Sequence, residues 1–589
     1  MKDSPSNNIH RRSRALIFRG KASLLRIKRG FENLADDRLK QHSFSKDLIG
    51  SPVVAESRTP LWTESAPEEQ FLLAGKVQNL RQAVGRLNGL EIPRGEIFSF
   101  WKHVGRASRR RGYTVGRELR EGCIIPNVGG GLCQISNALY DAALKAGFEI
   151  VERHAHTQVI EGSLAERGRD ATVFWNYVDL RFRSPRPFRI EAFLGRDHLS
   201  VKFKSEAKEK KLFRIIKPNS APKSEIRNPK SEFQNPNSCA SCGVESCFRS
   251  LKPEKNLNFG RTAFLLDEFS PEFDRYVQTK RESKDDLFIP LDGRRFRKPN
   301  YAWDTGGFSH VKQSFVVTGI RSYRSRRLAA QGAARQNNLL EMYEKLAADY
   351  ARKLPYDALH LIVQQNLLPF LWKSGALGGR SFDVLMTALP MSEIQNRLDR
   401  AFALHPESRT LADFRADQEL LEAERRSLEN ASKIITPHSA IASLFPRRAE
   451  LLDWKIPAGK ETGAGKNGKP TIVFPATTVG RKGCYELREA IRDLDVKLIT
   501  LGPFIEDEDF WRGFDVEKNA ADWLERADLI VLPAFVEHRP RRLLQAVAAG
   551  LPVIASRECG LENVPGAESV ESGRVDELRI LIEKLTKKF

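Results

Sequence analysis

The sequence predicts a multidomain α/β protein: an α+β domain in the N-terminal third, then a doubly wound, parallel-sheet architecture toward the C-terminus. Three observations carry this reading. The chain has 589 residues, about four domains at roughly 150 residues each and too many for a single core. Its texture changes abruptly, from a compact aromatic stretch at 51–205 to a segment rich in Lys, Ser, Asn and Pro at 206–238. Beyond about residue 470, short continuous apolar runs alternate with amphipathic segments, as parallel strands covered on both faces do.

Composition bounds the function. An apolar fraction of 41% and a charged fraction of 29% exclude wholesale disorder, collagen and coiled coil. The net charge of +21 calls for an anionic partner. Nucleotide, phosphate, anionic lipid and nucleic acid all qualify, but no nucleic-acid motif is present and no specific nucleic acid is expected. No apolar run approaches the roughly 18 residues that span a bilayer. No secretory signal is visible, and seven cysteines in so long a chain make no disulfide scaffold. A cytoplasmic setting follows, either in the cytosol or peripheral on the inner face of the membrane.

In chain order, residues 1–50 form a basic N-terminal segment. Its first 30 positions hold nine basic residues against one acid, Asp3. Leu24, Ile27, Phe31 and Leu34 recur at helical spacing, so a basic amphipathic helix could lie on an anionic membrane surface. The alternative is a basic terminus with one packed helix. Residues 51–205 form the first domain. The linker 206–238 contains a seven-residue repeat, SEIRNPK followed by SEFQNPN, too polar and too short an array to stack.

Within the first domain, Gly129, Gly130 and Gly131 precede Cys133 and a helical pattern of Ile135, Leu139 and Ala143. Glycines let backbone N–H groups turn toward a ligand. A cysteine at a helix start lies in the positive end of the dipole, which lowers a thiol pKa. His154 and His156 are two apart, on one face if the segment is a strand. A Cys133–histidine pair oriented by Asp170 is an acyl-transfer arrangement, with the amides near Gly131–Cys133 as oxyanion hole. The alternative is a buried cysteine at a Gly-rich turn beside two structural histidines.

The stretch 239–255 is a cysteine knuckle. Cys239, Cys242 and Cys247 would suit zinc or an iron–sulfur cluster if a fourth ligand came from elsewhere. Free thiols on a structured loop are the alternative. The segment GAGKNGK at 463–469 is no phosphate loop, because Asn follows its lysine and the segment precedes a strand.

In the last part, Pro470–Phe474, Val496–Thr500, Asp528–Pro533 and Leu551–Ala555 read as strands, with helices at Tyr485–Arg492, Ala520–Ala527 and Pro540–Ala549. Such sheets bind ligands beyond the carboxyl ends of their strands. A helix with Pro at its first turn leaves N–H groups facing the preceding loop.

Two resemblances follow from these motifs. PRGEIFSF at 93–100, GGGLCQ at 129–134, ERHAH at 152–156 and GRDAT at 168–172 resemble the VanW family. The resemblance implies a domain that acts on or binds peptidoglycan-type precursors. Some members are L,D-transpeptidases, which would make Cys133 the nucleophile and His154 or His156 the base. With no export signal visible, an amide transfer on an intracellular or lipid-linked precursor fits better than cross-linking of mature wall.

ADLIVLPAFVEHRPRRLLQAVAAGLPVIA at 527–555 and PTIVFPATTVGRKGCYELREA at 470–490 resemble the large retaining family 4 of glycosyltransferases. That resemblance implies a GT-B double Rossmann-like fold, with an acceptor domain at 256–460 and a donor domain at 468–589. A nucleotide-sugar donor would be held by Arg481, Lys482 and the amides near Arg541, without a cofactor. Glu537 would contact the donor sugar. The family's second glutamate, eight residues later, is Gln545 here, and the arginine usual near Thr477 is missing. No acceptor-side base stands out; His310 and His360 are the weakest of candidates.

The expected function is therefore transfer of a sugar from a nucleotide-sugar donor to an envelope glycan or lipid-linked acceptor, by a hexosyltransferase-like enzyme fused to a VanW-like domain. The alternatives are a thiol acyltransferase centred on Cys133 and a non-catalytic binding protein for envelope precursors.

Overall fold

The computed structural model describes residues 12–63, 69–120, 123–156, 163–206, 237–238, 260–328, 332–412, 415–459 and 469–586. Cys239, Cys242 and Cys247, most of the linker and the segment 460–468 lie outside the described residues. By its contacts the chain divides into two compact units. The first is Met1–Arg261 with Pro355–Leu359 and Ser374–Arg380; the second is Thr262–Leu354, His360–Lys373 and Ser381–Phe589.

The first unit is built on antiparallel strands. Val53–Pro60, His198–Ser205, Phe188–Leu194 and Leu90–Ile92 form a four-stranded sheet in that order. Burial alternates along His198–Ser205, with Leu199, Val201, Phe203 and Ser205 inward, as a period of two requires when one face meets a core. Phe203 stacks on Phe148 at 5.4 Å, and Phe182 on Phe98 at 4.7 Å. The helix Cys133–Ala146 covers this core with Ile135, Leu139, Ala142 and Ala143, all fully buried. It ends at Gly147, whose left-handed backbone caps it. Smaller three-stranded sheets join Ile97–Ser99, Arg181–Arg183 and Glu149–Glu152, and Val115–Arg120 with Cys123–Val128 and Asn237–Ser238.

The second unit contains two parallel sheets. One orders His310–Gln313, Asp286–Ile289, Arg261–Leu265, Ala358–Gln364, Ser381–Leu385, Lys433–Thr436 and Ala449–Leu451. The other orders Val516–Lys518, Lys497–Thr500, Thr471–Phe474, Leu529–Leu532, Val553–Ser556 and Ala567–Val570, parallel throughout. Leu529–Leu532 and Val553–Ser556 are buried at every position, which explains their unbroken apolar runs. In each sheet the chain starts in the middle, moves to one edge, then returns to build the other side. The point of reversal falls between Thr471–Phe474 and Leu529–Leu532 in the C-terminal lobe, and between Arg261–Leu265 and Ala358–Gln364 in the other. A crevice opens at such a point, where connections leave in opposite directions. Among the described residues, no helix is long and apolar enough to cross a membrane.

Candidate functional site

Two groups of titratable side chains are brought together, one in each unit. In the first unit, Cys133 is the opening residue of its helix, where backbone N–H groups lack helical acceptors. The turn before it depends on glycine. Gly131 has φ +97, and a Cβ there would sit 2.1 Å from Cγ of Lys76, which crosses directly beneath. Lys76 donates to the carbonyl of Leu61 at 2.7 Å, and burial pushes its pKa down to about 7.

His156 faces the thiol. Its Nδ1 pairs with Oδ1 of Asp170 at 2.5 Å, and its amide also donates to that carboxylate. This leaves Nε2 for the sulfur. Burial opposes charge on both groups, but the imidazole outweighs it at Cys133 and lowers the thiol pKa. At His156, burial is likewise overcome by Asp170 and the sulfur, which raise its pKa to about 10. Each group thus favours the charged form of the other. Thr172 Oγ1 lies 3.7 Å from the sulfur and the carbonyl of Val173 3.9 Å away.

His154 is placed elsewhere. The strand Glu149–Glu152 stops before the histidines, so the two-residue alternation does not apply to them. The side chain of His154 is half exposed and points to Glu152 at 3.5 Å.

In the second unit, the reversal point of the C-terminal sheet brings Lys482 and Glu537 together. Lys482 follows the strand Thr471–Phe474, and Glu537 lies in the loop after Leu529–Leu532. The ammonium meets Oε2 of Glu537 at 2.8 Å and the carbonyl of Val536 at 2.9 Å. The amide of Arg539 donates to Oε1 at 2.9 Å. Burial works to raise the pKa of Glu537, but the lysine outweighs it and keeps the carboxylate ionised. The adjacent His538 is driven to about 3 by burial and by Lys482, hence neutral.

The same loop is fastened to the other lobe of this unit. His438 Nε2 pairs with the carbonyl of Glu537 at 3.0 Å. Gly560, at φ +66, passes so close that a Cβ would fall 2.1 Å from His438 Nδ1. Arg539 donates to Glu268 at 2.9 Å, and Glu268 also accepts from Arg321 at 2.9 Å. Arg541 donates through both terminal nitrogens to Glu272, each at 2.6 Å.

Comparison with known proteins separates the two groups. Residues 75–204 match the family described as VanW like protein, and residues 470–587 match glycosyl transferases group 1. The chain joins a VanW-like domain to a group 1 glycosyltransferase domain. Over 132 residues it is 36% identical to the uncharacterized protein YoaR of Bacillus subtilis (strain 168), covering 22% of this chain and 43% of that protein. It is 33% identical over 132 residues to the vancomycin B-type resistance protein VanW of Enterococcus faecalis, covering 22% of this chain and 48% of that one. The chain therefore spans less than half the length of these curated relatives. Among solved structures, sucrose-phosphate synthase from Thermosynechococcus elongatus is similar at 16% identity, covering 56% of this chain and 90% of that one, with a TM-score of 0.36. WaaG, a glycosyltransferase involved in lipopolysaccharide biosynthesis, is similar at 14% identity, with 55% and 90% covered and a TM-score of 0.32. The two lobes of the second unit, each a sheet reversing at its centre, form a double Rossmann-like arrangement.

In the VanW-like domain, the structure brings Cys133, His156 and Asp170 together beside Gly129, Gly130 and Gly131, and leaves His154 outside. In the glycosyltransferase domain it brings Lys482 to Glu537. Arg541 is occupied by Glu272 rather than open toward a ligand. Gln545 is exposed on the same helix, Arg541–Ala548. Arg481 is half-buried, and its carbonyl accepts from the amides of Phe535 and Val536 at 3.0 and 3.2 Å.

In the N-terminal lobe, His310 pairs with Asp286 at 3.0 Å, and His360 with Ser381 at 2.9 Å. Neither lies on the connections that follow the central strands Arg261–Leu265 and Ala358–Gln364. Sequence reasoning passed over Glu272 and His438. The motif TPHS at 436–439 held the second in view; Glu272 stands 269 residues before its partner, with no local signal. Among the described residues, no cluster of three or more His, Cys, Asp or Glu could hold a metal.

Proposed function

We propose that this chain transfers a sugar from a nucleotide-sugar donor to a cell-envelope glycan or a lipid-linked acceptor. One observation carries the reading: an ionised Glu537 paired with Lys482 where the glycosyltransferase sheet reverses direction. A donor diphosphate needs cationic and N–H donors. Lys482 and the first turn of Arg541–Ala548 supply them, with Arg481 beside them. An ionised Glu537 accepts hydrogen bonds from sugar hydroxyls, and its position in the loop sets the sugar against the other lobe. The retaining outcome follows from the family resemblance, with the donor's own phosphate taking the acceptor proton.

The test is a thermal-shift panel of UDP-, GDP- and ADP-sugars on the whole chain. A ligand at roughly 100 times its dissociation constant adds about 2.7 kcal/mol. Donor hydrolysis that disappears in Glu537→Ala supports the reading; no shift with any nucleotide sugar removes it.

A second reading concerns the VanW-like domain and is favoured by the Cys133–His156–Asp170 arrangement. The thiolate attacks an amide carbonyl of a peptidoglycan-type stem, and an S–C bond forms as the C–N bond breaks. His156 gives its proton to the departing amine. An acceptor amine then attacks the thioester, His156 takes its proton, and the thiolate leaves. Amides near Gly131–Cys133 stabilise the oxyanion. Trapping of a covalent acyl adduct on Cys133, absent in Cys133→Ser, is the measurement that decides it.

A further inference from the structure

The described side chains of the helix Arg12–Ala35 meet the VanW-like domain on one face. Ala22 is buried, Arg26 sits over the ring of Phe174 at 5.2 Å, and Arg29 pairs with Glu152. Asn176 Nδ2 donates to the carbonyl of Arg26 at 3.0 Å, and Arg181 donates to Asn33 Oδ1 at 2.6 Å. On the opposite face, apolar side chains are exposed among the described residues. Leu24 is 70% exposed, Ile27 59%, Phe31 70% and Leu34 83%. At about 100° per residue these four fall within an arc of roughly 80°. Ile17, 59% exposed, extends the stripe toward the N-terminus. Exposed Lys21 and Lys28 run along one edge of it, and Lys28 meets the helix's lone acid, Glu32, only at 3.9 Å.

We propose that this stripe docks on an anionic lipid surface, with the helix lying in the plane of the headgroups. The helix carries seven basic residues against one acid, and the whole chain carries +21. A narrow apolar stripe edged by lysines is the composition that binds at a headgroup–acyl boundary. A second copy of the chain is a poorer occupant, because an antiparallel two-fold contact would set two lysine edges against each other. The helix rests on the turn that includes Asn176, and Thr172 and Val173, just before that turn, approach the Cys133 sulfur. The docking does not depend on the chemistry proposed for either site.

Co-sedimentation of the full chain with phospholipid vesicles tests the proposal. Phosphatidylcholine vesicles with about one third phosphatidylglycerol should bind at least about ten-fold more tightly than phosphatidylcholine alone, with affinity falling as salt rises. Leu24→Ser/Phe31→Ser should weaken binding by at least about ten-fold at an unchanged melting temperature, since both side chains are exposed. Lys21→Glu/Lys28→Glu should remove about ten-fold and flatten the salt dependence. The proposal is overturned if wild type ignores phosphatidylglycerol vesicles at low salt, or if both variants bind as wild type does. It is also overturned if light scattering shows a lipid-free dimer that Leu24→Ser/Phe31→Ser converts to monomer.

Discussion

Glu272, in the first turn of the helix Pro271–Lys280, receives both terminal nitrogens of Arg541 at 2.6 Å each. The carboxylate is buried, and burial alone would raise its pKa; the guanidinium and Ser270 hold it below the ordinary range. A carboxylate thus occupies the guanidinium that opens the helix Arg541–Ala548, where an incoming diphosphate would be expected to bind.

Replacing that carboxylate should therefore help the donor. Glu272→Gln keeps the shape but weakens the hold on Arg541, and a charge-assisted bond made available to phosphate is worth about 1 kcal/mol. Titration calorimetry should show nucleotide-sugar affinity rising by about five-fold. Unchanged or weaker affinity would mean Arg541 has no part in donor binding.

The Lys482–Glu537 pair should behave as one unit. Lys482→Met strands a buried carboxylate and should cost about 3 kcal/mol of stability. Glu537→Gln leaves Lys482 its bond to the carbonyl of Val536 and should cost less. The double variant should be more stable than the two single losses added together, which a denaturant-based double-mutant cycle measures. Simple additivity would count against a coupled pair.

Gln545 allows a gain-of-function test. It is exposed on the helix that follows the Glu537 loop. The family resemblance sets this position against a ribose diol; if the donor binds so, Gln545→Glu would make a neutral contact a charged one, a gain of about 1 kcal/mol or roughly five-fold in donor affinity. Thermal shift with the best-binding nucleotide sugar checks it.

At the thiol, pH separates a reactive centre from an ordinary cysteine. The thiol pKa of Cys133 is lowered, so its alkylation should fall off less steeply than that of a free thiol as pH drops from 8 to 6. Cys559, pushed up to about 12 by burial, is an internal slow control. His156→Gln should return the Cys133 profile toward that of an ordinary thiol. The sign for stability is opposite in pH. Because the pKa of His156 is raised on folding to about 10, the stabilisation from Asp170 is complete below pH 6.5 and is lost as pH rises toward 10. The gap in melting temperature between wild type and Asp170→Asn should narrow across that window.

Parts of this arrangement could be read from the sequence because the cause was local. The strands of the C-terminal lobe were legible since burial on both faces demands unbroken apolar runs, and Leu529–Leu532 and Val553–Ser556 follow the runs that predict them. The helix after Cys133 was legible from the spacing of Ile135, Leu139 and Ala143. The choice between His154 and His156 was not. It depends on the strand ending at Glu152 and on Asp170 reaching back across 14 residues. The engagement of Arg541 was equally hidden, since an ion pair across 269 residues leaves no periodicity to find.

Gly560 shows how a residue without a functional group can govern a distant carboxylate. Its missing side chain is the space that the His438 ring fills, and that ring holds the peptide from which Glu537 projects. In a saturation scan, position 560 should tolerate nothing, not even alanine, and its variants should resemble lesions at Glu537 in donor affinity. A map of intolerant positions would then extend the proposed donor site to a residue that acts only through the His438 ring.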